Sequence, residues 1–359
     1  MIRSAILAVL AFAFLPHPAG AEEPLRRFLY AATPDGAQPE TSGEGLVIFD
    51  IDHGFKFVRR IEGMKMSAGA RGLTGCTATH SLYYSTTDQG MGRLDLETDA
   101  VLWEKHYSRG CDRSSVMPDG SKVFAPTGWW DKTETGGLVV VDGTTGQQLR
   151  TIRLGKGSHN SIISPDGTRL YVGGETMLTV LDPRDESVVK IISDIGEAGV
   201  FPFTLNHDLT LAYVCLGKHV GFDVVDLTAG KPIHRVLAGD EPIPHRTHGA
   251  ALTPDQRELW ISDQDGKKLF IFDATKMPPV ASGSVELSVG GHGWVNFSLD
   301  GAYAWSHAPE VFDARTRKQI ATLRDEKGKV FGSSKLIEVQ MRGGKVTAVS
   351  SEFGIGRKP

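Results

Sequence analysis

Seven short apolar strands, each ending in an aspartate that a polar turn follows, recur along the 359-residue chain. The closing aspartates are spaced 45, 47, 40, 44, 47 and 40 residues apart, and they are Asp50, Asp95, Asp142, Asp182, Asp226, Asp273 and Asp313. A period of about 40–50 residues is typical of one four-stranded propeller blade. The repeat therefore predicts an all-β fold, a seven-bladed β-propeller of four-stranded antiparallel blades.

A second landmark, a turn of the Ser-Pro-Asp-Gly type, lies between successive closing aspartates. It occurs, with variations, at residues 117–120, 164–167, 253–256 and 298–301, and an alternating strand such as Arg169–Val172 follows each copy. Aspartate accepts hydrogen bonds from nearby backbone amides, and glycine tolerates positive φ, so both residues favour tight hairpins. Each blade is thus predicted to contain an inner strand, this hairpin, two further strands, the aspartate-headed hairpin and an outer strand.

The blade pattern resembles that of bacterial YVTN-type, lactonase-like β-propellers, whose blade core is roughly SPDG-x-x-x-YV followed by V-x-VID-x-x-T. Ser164–Val172 followed by Leu178–Asp182 matches this core, although Tyr171–Gly174 (YVGG) stands where YVTN would be. The resemblance covers nearly the whole chain beyond residue 21. It implies the fold but leaves the activity open, because this blade occurs in sugar-lactone hydrolases, in lyases and in non-enzymatic proteins.

The N-terminus has the features of a secretory signal peptide. Arg3 precedes an apolar run from Ala5 to Leu15, and Ala19–Ala21 forms an A-x-A cleavage site. Residues 1–21 are therefore expected to be removed after Ala21, which predicts a periplasmic or secreted protein. No later apolar run approaches the about 18 residues that a membrane span requires, so no membrane span is expected.

Residues 22–359 are expected to form a single propeller domain closed by the C-terminal strand. The first repeat, Phe28–Ile61, lacks an inner strand, and the C-terminal piece Lys335–Ser350 can supply one, which leaves no exposed sheet edge. A further strand follows Gly343-Gly344, and in this scheme it duplicates a strand of the first repeat. That duplication keeps an eight-bladed ring as an alternative.

Charge and cysteine content narrow the classes of partner. With 39 basic and 43 acidic residues and no basic stripe, the chain lacks the surface that nucleic-acid binding requires. Its three cysteines, Cys76, Cys111 and Cys215, include no C-x-x-C pair. Each is expected to be a small buried apolar side chain, and a Cys76–Cys111 disulfide stays open because export would permit it.

The start of each inner strand should face the central channel, and the repeat locates that position in every blade. Counting seven residues back from the hairpin aspartate, and aligning the less regular blades, gives Arg71, Asp112, His159, Phe201, His248, Gly293 and Lys335, with Arg113 and His292 beside two of them. We expect the ligand-binding residues at this mouth to be Arg71, Asp112, Arg113, His159, His248, His292 and Lys335.

Two chemistries are compatible with this mouth. Arg71, Arg113, Arg246 and Lys335 outnumber the single carboxylate of Asp112, which favours a small anionic ligand. His159, His248 and His292 could instead hold a divalent metal ion, since three imidazoles and an open position suit catalytic zinc. The first function predicted is therefore binding of a small molecule or a periplasmic protein, and the alternative is a metal-assisted, lactonase-like hydrolase or a lyase.

Overall fold

The computed structural model describes residues 22–32, 45–64, 66, 69–86, 90–108, 110–128, 136–199, 202–333 and 335–355. The predicted signal peptide, residues 1–21, lies outside these described residues. Within them, the regular secondary structure consists of β-strands without any helix, so no described helix is available to cross a membrane. This agrees with the all-β fold that the repeat predicted.

The strands occur in seven sheets, which are the blades. Blade 1 begins with β1 (Arg26–Ala32), β2 (Leu46–Asp50) and β3 (Lys56–Ile61). Blade 2 contains β4 (Ala70–Cys76), β5 (Ser81–Thr86), β6 (Gly90–Asp95) and β7 (Val101–His106). Blade 3 contains β8 (Ser115–Val116), β9 (Lys122–Thr127), β10 (Gly137–Asp142) and β11 (Gln148–Arg153). Blade 4 contains β12 (Asn160–Ile163), β13 (Leu170–Gly173), β14 (Met177–Leu181) and β15 (Val188–Ser193).

The remaining blades continue the same order along the chain. Blade 5 contains β16 (Phe203–Leu205), β17 (Leu211–Cys215), β18 (Gly221–Asp226) and β19 (Lys231–Leu237). Blade 6 contains β20 (Thr247–Leu252), β21 (Glu258–Asp263), β22 (Lys268–Asp273) and β23 (Val280–Glu286). Blade 7 contains β24 (Val295–Phe297), β25 (Tyr303–Ser306), β26 (Glu310–Asp313) and β27 (Gln319–Thr322). The chain then returns to blade 1 with β28 (Leu336–Arg342) and β29 (Lys345–Val349).

Blade 1 is assembled from both ends of the chain, in the order β29-β28-β1-β2-β3. Strand β28 pairs antiparallel with β1, from Arg26 opposite Met341 to Ala31 opposite Leu336. The turn at Gly343-Gly344, with φ of 53° and 77°, folds β29 back onto the other edge of β28, because β1 occupies the first edge. Strand β29 therefore lies inside the ring as a fifth strand, and the eight-bladed alternative is wrong.

The burial of each strand follows from its distance from the channel axis. The third strand of blade 3, β10, is almost continuously apolar and buried, because adjacent blades cover both faces of a sheet. The outer strand β11 of the same blade is exposed along most of its length. Aromatic contacts join neighbouring blades: Phe222 of blade 5 meets Phe272 of blade 6 edge to face, with the ring centroids 5.0 Å apart.

The aspartate-headed hairpins have the geometry that their residues favour. In blade 3, Asp142 Oδ1 accepts hydrogen bonds from the backbone amides of Thr144 and Thr145, and Gly146 adopts a φ of 71°. The pairing of β10 with β11 shifts register by one residue at this hairpin. A positive φ and an amide-accepting carboxylate are the features that select glycine and aspartate in such turns.

The last described residues fill the central channel. Residues 351–354 accept hydrogen bonds from inner-strand residues of four blades, namely Leu73, Thr204, Leu252 and Asn296. Phe353 is buried against Trp294, with the ring centroids 5.4 Å apart. The C-terminal segment, residues 350–355, therefore divides the channel into an upper end, where the inner strands begin, and a lower end, where they finish.

All three cysteines are buried and free. The Cys76–Cys111 disulfide that the sequence left open is not formed in this structure. Burial raises the pKa of the Cys111 and Cys215 thiols well above the ordinary value, so neither is a nucleophile at neutral pH.

Candidate functional site

The residues predicted at the channel mouth lie at the upper end of the channel, each at or just before an inner strand. They are Arg71 in β4, Asp112 and Arg113 before β8, His159 before β12, His248 in β20, His292 before β24 and Lys335 before β28. The equivalent residue of blade 5, Phe201, lies outside the described residues. Because the inner strands of a propeller begin around one axis, residues far apart in sequence meet here.

Asp112 is the centre of a buried network across blades 2, 3 and 4. Its Oδ2 accepts a hydrogen bond from His159 Nδ1 at 2.7 Å, and Arg71 Nη1 lies 3.6 Å from the same oxygen. Arg113 Nη1 donates to Asp112 Oδ1 at 3.2 Å and to His159 Nε2 at 2.9 Å. An arginine can only donate, so His159 carries its proton on Nδ1 and accepts at Nε2.

Burial and charge act in opposite directions on this network. Burial alone would raise the pKa of Asp112, but the interaction and hydrogen bond with His159 and the positive charges of Arg113 and Arg71 outweigh it and hold that pKa below the usual range. Burial lowers the pKa of His159 to about 4, despite the attraction of Asp112. Since His159 is therefore neutral near pH 7, the two arginines are the charges that keep Asp112 ionised there.

Trp294, from blade 7, joins this network to the C-terminal segment. The Arg113 guanidinium carbon lies 4.8 Å from the centre of the indole ring, and Lys335 Nζ lies 5.1 Å from it. Lys335 Nζ is also 3.6 Å from Glu352 Oε1, and both side chains are almost completely buried. Two buried cations therefore contact one aromatic ring, an arrangement worth about 2 kcal/mol or more per contact when water is excluded.

His248 and His292 form a second contact between blades. Their ring centroids are 4.9 Å apart, with His248 buried and His292 exposed. A Cβ on Gly249 would come within 2.4 Å of the Gly293 carbonyl oxygen, so glycine permits the close approach of the two inner strands. Burial first, and then the nearby positive groups, lower the pKa of His248 well below its ordinary value.

The cluster formed by these channel-mouth residues and Glu352 carries an excess of positive charge. Arg71, Arg113 and Lys335 are opposed by Asp112 and Glu352, and the buried imidazoles are neutral near pH 7. Burial raises the pKa of Glu352, although Lys335 and Arg113 act against this. Arg71 and His292 are the more exposed members and lie at the rim of the site. Arg113, Lys335 and Trp294 are buried and lie deeper.

The described residues contain no group of three or more His, Cys, Asp or Glu side chains arranged to hold a metal ion. Both ring nitrogens of His159 are already engaged, by Asp112 and by Arg113. A metal bound through His159, His248 and His292 would therefore require the Asp112–Arg113 network to rearrange. The metal-site hypothesis stays a prediction that metal analysis must test.

Two residues of this cluster were not among those predicted. Trp294 follows the repeat position Gly293 directly, so the alignment pointed one residue short of it. Glu352 lies beyond the last repeat, where no repeat position is defined, and only the path of the C-terminal segment brings it to Lys335. Arg246, which the charge count included, lines a separate depression of about 380 Å³ together with Lys218, His245 and Asp265.

The lower end of the channel contains a cavity of about 350 Å³. Its walls are the ends of the inner strands of blades 2, 3 and 4 together with the C-terminal segment. The lining is apolar or hydroxyl-bearing, and it includes Cys76, Val116, Ile162, Ser164 and Phe353. This lining contains no charged side chain among the described residues, in contrast to the upper end.

Comparison with known proteins identifies the fold. No family model matches the chain, and no curated protein matches it either. Among solved structures, hydrazine synthase of Kuenenia stuttgartiensis is 17% identical with a TM-score of 0.58, over 78% of this chain and 95% of that one. The β-propeller domain of Myceliophteria thermophila Cps50 (Swd1) is 12% identical with a TM-score of 0.61, over 79% and 96%.

A third similar structure is dihydro-heme d1 dehydrogenase NirN in complex with DHE. It is 16% identical with a TM-score of 0.60, over 92% of this chain and 78% of that one. At these identities the similarity shows a shared β-propeller fold. It does not transfer an activity, because one fold carries unrelated functions.

Proposed function

We propose that this protein is an exported, YVTN-type β-propeller that binds a small anionic ligand at the upper end of its central channel. The observation that carries the proposal is the pair of buried cations, Arg113 and Lys335, against the indole ring of Trp294. Export rests on the predicted signal peptide, which implies a periplasmic or secreted location.

The buried position of the cations favours a small ligand over a protein partner. Lys335 and Arg113 are 0% and 4% exposed, so a flat protein surface would not reach them. Arg71 lies nearer the rim and provides a guanidinium that can form paired hydrogen bonds to a carboxylate. A single excess positive charge in a low-dielectric site attracts an anion more strongly than the same charge would in water.

The test is binding of small anions to the purified mature protein at low ionic strength. Isothermal titration with acetate, lactate, malate, succinate, phosphate and sulfate should detect at least one ligand whose affinity falls as sodium chloride is added. Arg71→Gln should weaken that affinity by about tenfold, the equivalent of about 1.4 kcal/mol. Lys231→Gln, on the exposed outer strand β19, is the matched control and should bind as the parent does.

The metal-assisted alternative is tested on the same preparation. Elemental analysis of the parent and of His248→Ala should show no stoichiometric divalent metal in either protein. A metal present in the parent and lost from the variant would instead favour the hydrolase or lyase. Absence of binding for every anion tested, or equal binding by parent and Arg71→Gln, would contradict the proposed function.

A further inference from the structure

The polar atoms that are buried at the upper end without a hydrogen-bond partner in the described part of the chain include two on residues next to Lys335. They are the indole nitrogen Nε1 of Trp294, which can only donate, and Oε1 of Glu352. Both residues are 2% exposed. A buried polar group without a hydrogen bond is unfavourable, so a ligand or an ordered water that satisfies both atoms would be stabilised at this position.

The contacts around Glu352 leave one oxygen available. Its Oε2 accepts a hydrogen bond from the backbone amide of Leu73 at 2.5 Å. Its Oε1 is 3.6 Å from Lys335 Nζ, which is beyond hydrogen-bond length although it is within ion-pair distance. Oε2 is thus hydrogen-bonded, whereas Oε1 has an ion pair with Lys335 but no hydrogen bond among the described residues, so it can still accept one from a ligand.

Lys335 lies next to both residues that carry these atoms. Its Nζ lies 3.6 Å from Glu352 Oε1 and 5.1 Å from the centre of the Trp294 ring, which also contacts Arg113. The site therefore combines donors and cations, which suit a carboxylate, with a neighbouring acceptor, which suits a hydroxyl or an ammonium group. Carboxylate and donor would have to be close together in the ligand, because one lysine borders both positions.

We infer that the ligand is a small carboxylic acid carrying a hydrogen-bond donor on the adjacent carbon, that is, a 2-hydroxy acid or a 2-amino acid. Its carboxylate meets Arg113, Lys335 and the Trp294 N–H, and its hydroxyl or ammonium group donates to Glu352 Oε1. This inference rests on the proposed function and adds the class of ligand. It also makes the C-terminal segment, which supplies Glu352, part of the binding site.

The experiment compares acids that differ only in the donor. Lactate is titrated against propionate, malate against succinate, and alanine serves as the 2-amino acid. In the parent, at least one donor-bearing acid should bind tenfold or more tightly than its partner without the donor, because a buried acceptor left unpaired opposes the partner. Glu352→Met, which keeps length but removes the acceptor, should reduce that ratio to about one.

Two further variants keep the test decisive. Trp294→Phe retains the ring and removes the N–H, so it should weaken both members of a pair equally while preserving their ratio. If Glu352→Met does not fold, Trp294→Phe still tests whether the carboxylate binds at the indole N–H. Glu97→Gln changes a partly buried glutamate that pairs with Lys345 of β29, away from the proposed site, and should leave the ratio unchanged.

The outcomes separate the two proposals. If the parent binds lactate and propionate equally, and malate and succinate equally, the inferred ligand class is wrong and water satisfies the unpaired atoms, but the anion site stands. If Glu352→Met keeps the parental ratio, the role of Glu352 is wrong. If the parent binds none of these acids, phosphate or sulfate, both the ligand class and the proposed function are wrong.

Discussion

The two ends of the channel are built from the same inner strands, yet their chemistry differs. At the upper end, Lys335 and Glu352 pair in almost complete burial, beside two arginines and an aromatic ring. The lining of the lower cavity contains no charged side chain among the described residues. Outside that lining, the hairpin of β28 and β29 carries an exposed lysine, Lys345, whose Nζ lies 2.8 Å from Glu97 Oε2. Since charge in the interior is costly, its concentration at one end supports the proposal that the ligand binds there.

The C-terminal segment separates the two ends of the channel. Removing it together with the strands β28 and β29 that precede it should have the largest effect. Deletion of residues 335–359 removes β28 and β29, exposes the edge of β1 and uncovers the apolar side chains packed on them. We expect the truncated protein to aggregate on expression, measured as the soluble fraction. A soluble truncated protein that melts at the parental temperature would show that the segment is dispensable at both ends.

Breaking the buried pair at the upper end should have the next largest effect. Lys335→Met leaves Glu352 without its cation, and removal of one partner of a buried pair costs about 3–5 kcal/mol. Urea unfolding at pH 7.5 measures the free energy of unfolding. The double variant Lys335→Met/Glu352→Met should recover much of this loss, because no uncompensated charge is left. If Lys335→Met were as stable as the parent, the buried charge pair would not distinguish the upper end from the lower end.

Lowering the pH should destabilise the upper end, where His159, His248 and His307 are buried. The folded-state pKa is about 4 for His159 and for His307, against about 6.5 in the unfolded chain, and that of His248 is also lowered, in each case chiefly by burial. The unfolded chain therefore binds more protons below pH 6.5. Stability is fully present above pH 6.5 and falls as the pH drops towards 4, by about 3 kcal/mol for each of His159 and His307.

Urea unfolding between pH 7.5 and pH 4.5 tests this window. His159→Gln should reduce the slope of stability against pH by about one proton, while His234→Gln on the exposed strand β19 is the control. Asp112, whose pKa is held low, adds its own loss only below about pH 4. An unchanged slope in His159→Gln would mean that this imidazole is not kept neutral by its burial.

The Lys345–Glu97 pair, which lies outside the channel lining, should give the smallest effect. Lys345 is 74% exposed, and a salt bridge of this kind contributes about 0–1 kcal/mol. Lys345→Met should therefore leave the free energy of unfolding within about 1 kcal/mol of the parent in urea. A loss equal to that of Lys335→Met would show that burial is not what distinguishes the two lysines.

The sequence predicted much of the upper end because the repeat aligns the blades. Asp112 and His159 occupy the same repeat position in neighbouring blades, and their side chains meet at 2.7 Å. Arg71 contacts Asp112 for the same reason, as the bridge between blades 2 and 3. Trp294 was missed because it follows the predicted position, Gly293, and the alignment selected one position in each blade.

Glu352 and the fifth strand of blade 1 could not be predicted in this way. Both lie after the last repeat, where β29 had the pattern of an ordinary blade strand. Their place depends on which edge of β28 is free, and β1 takes one edge through a contact more than 300 residues away in sequence. Long-range pairing of this kind leaves no periodic trace in the chain.

The sequence by itself determined the seven blades, their strand order and the positions that face the channel, because period and turn chemistry are local properties. Only the tertiary structure decided that the C-terminal segment enters the channel, that Glu352 meets Lys335 there, and that the three cysteines stay unpaired. The physical reason is that burial, charge pairing and the filling of a shared axis depend on distances between blades. These distances exist only once the ring has closed.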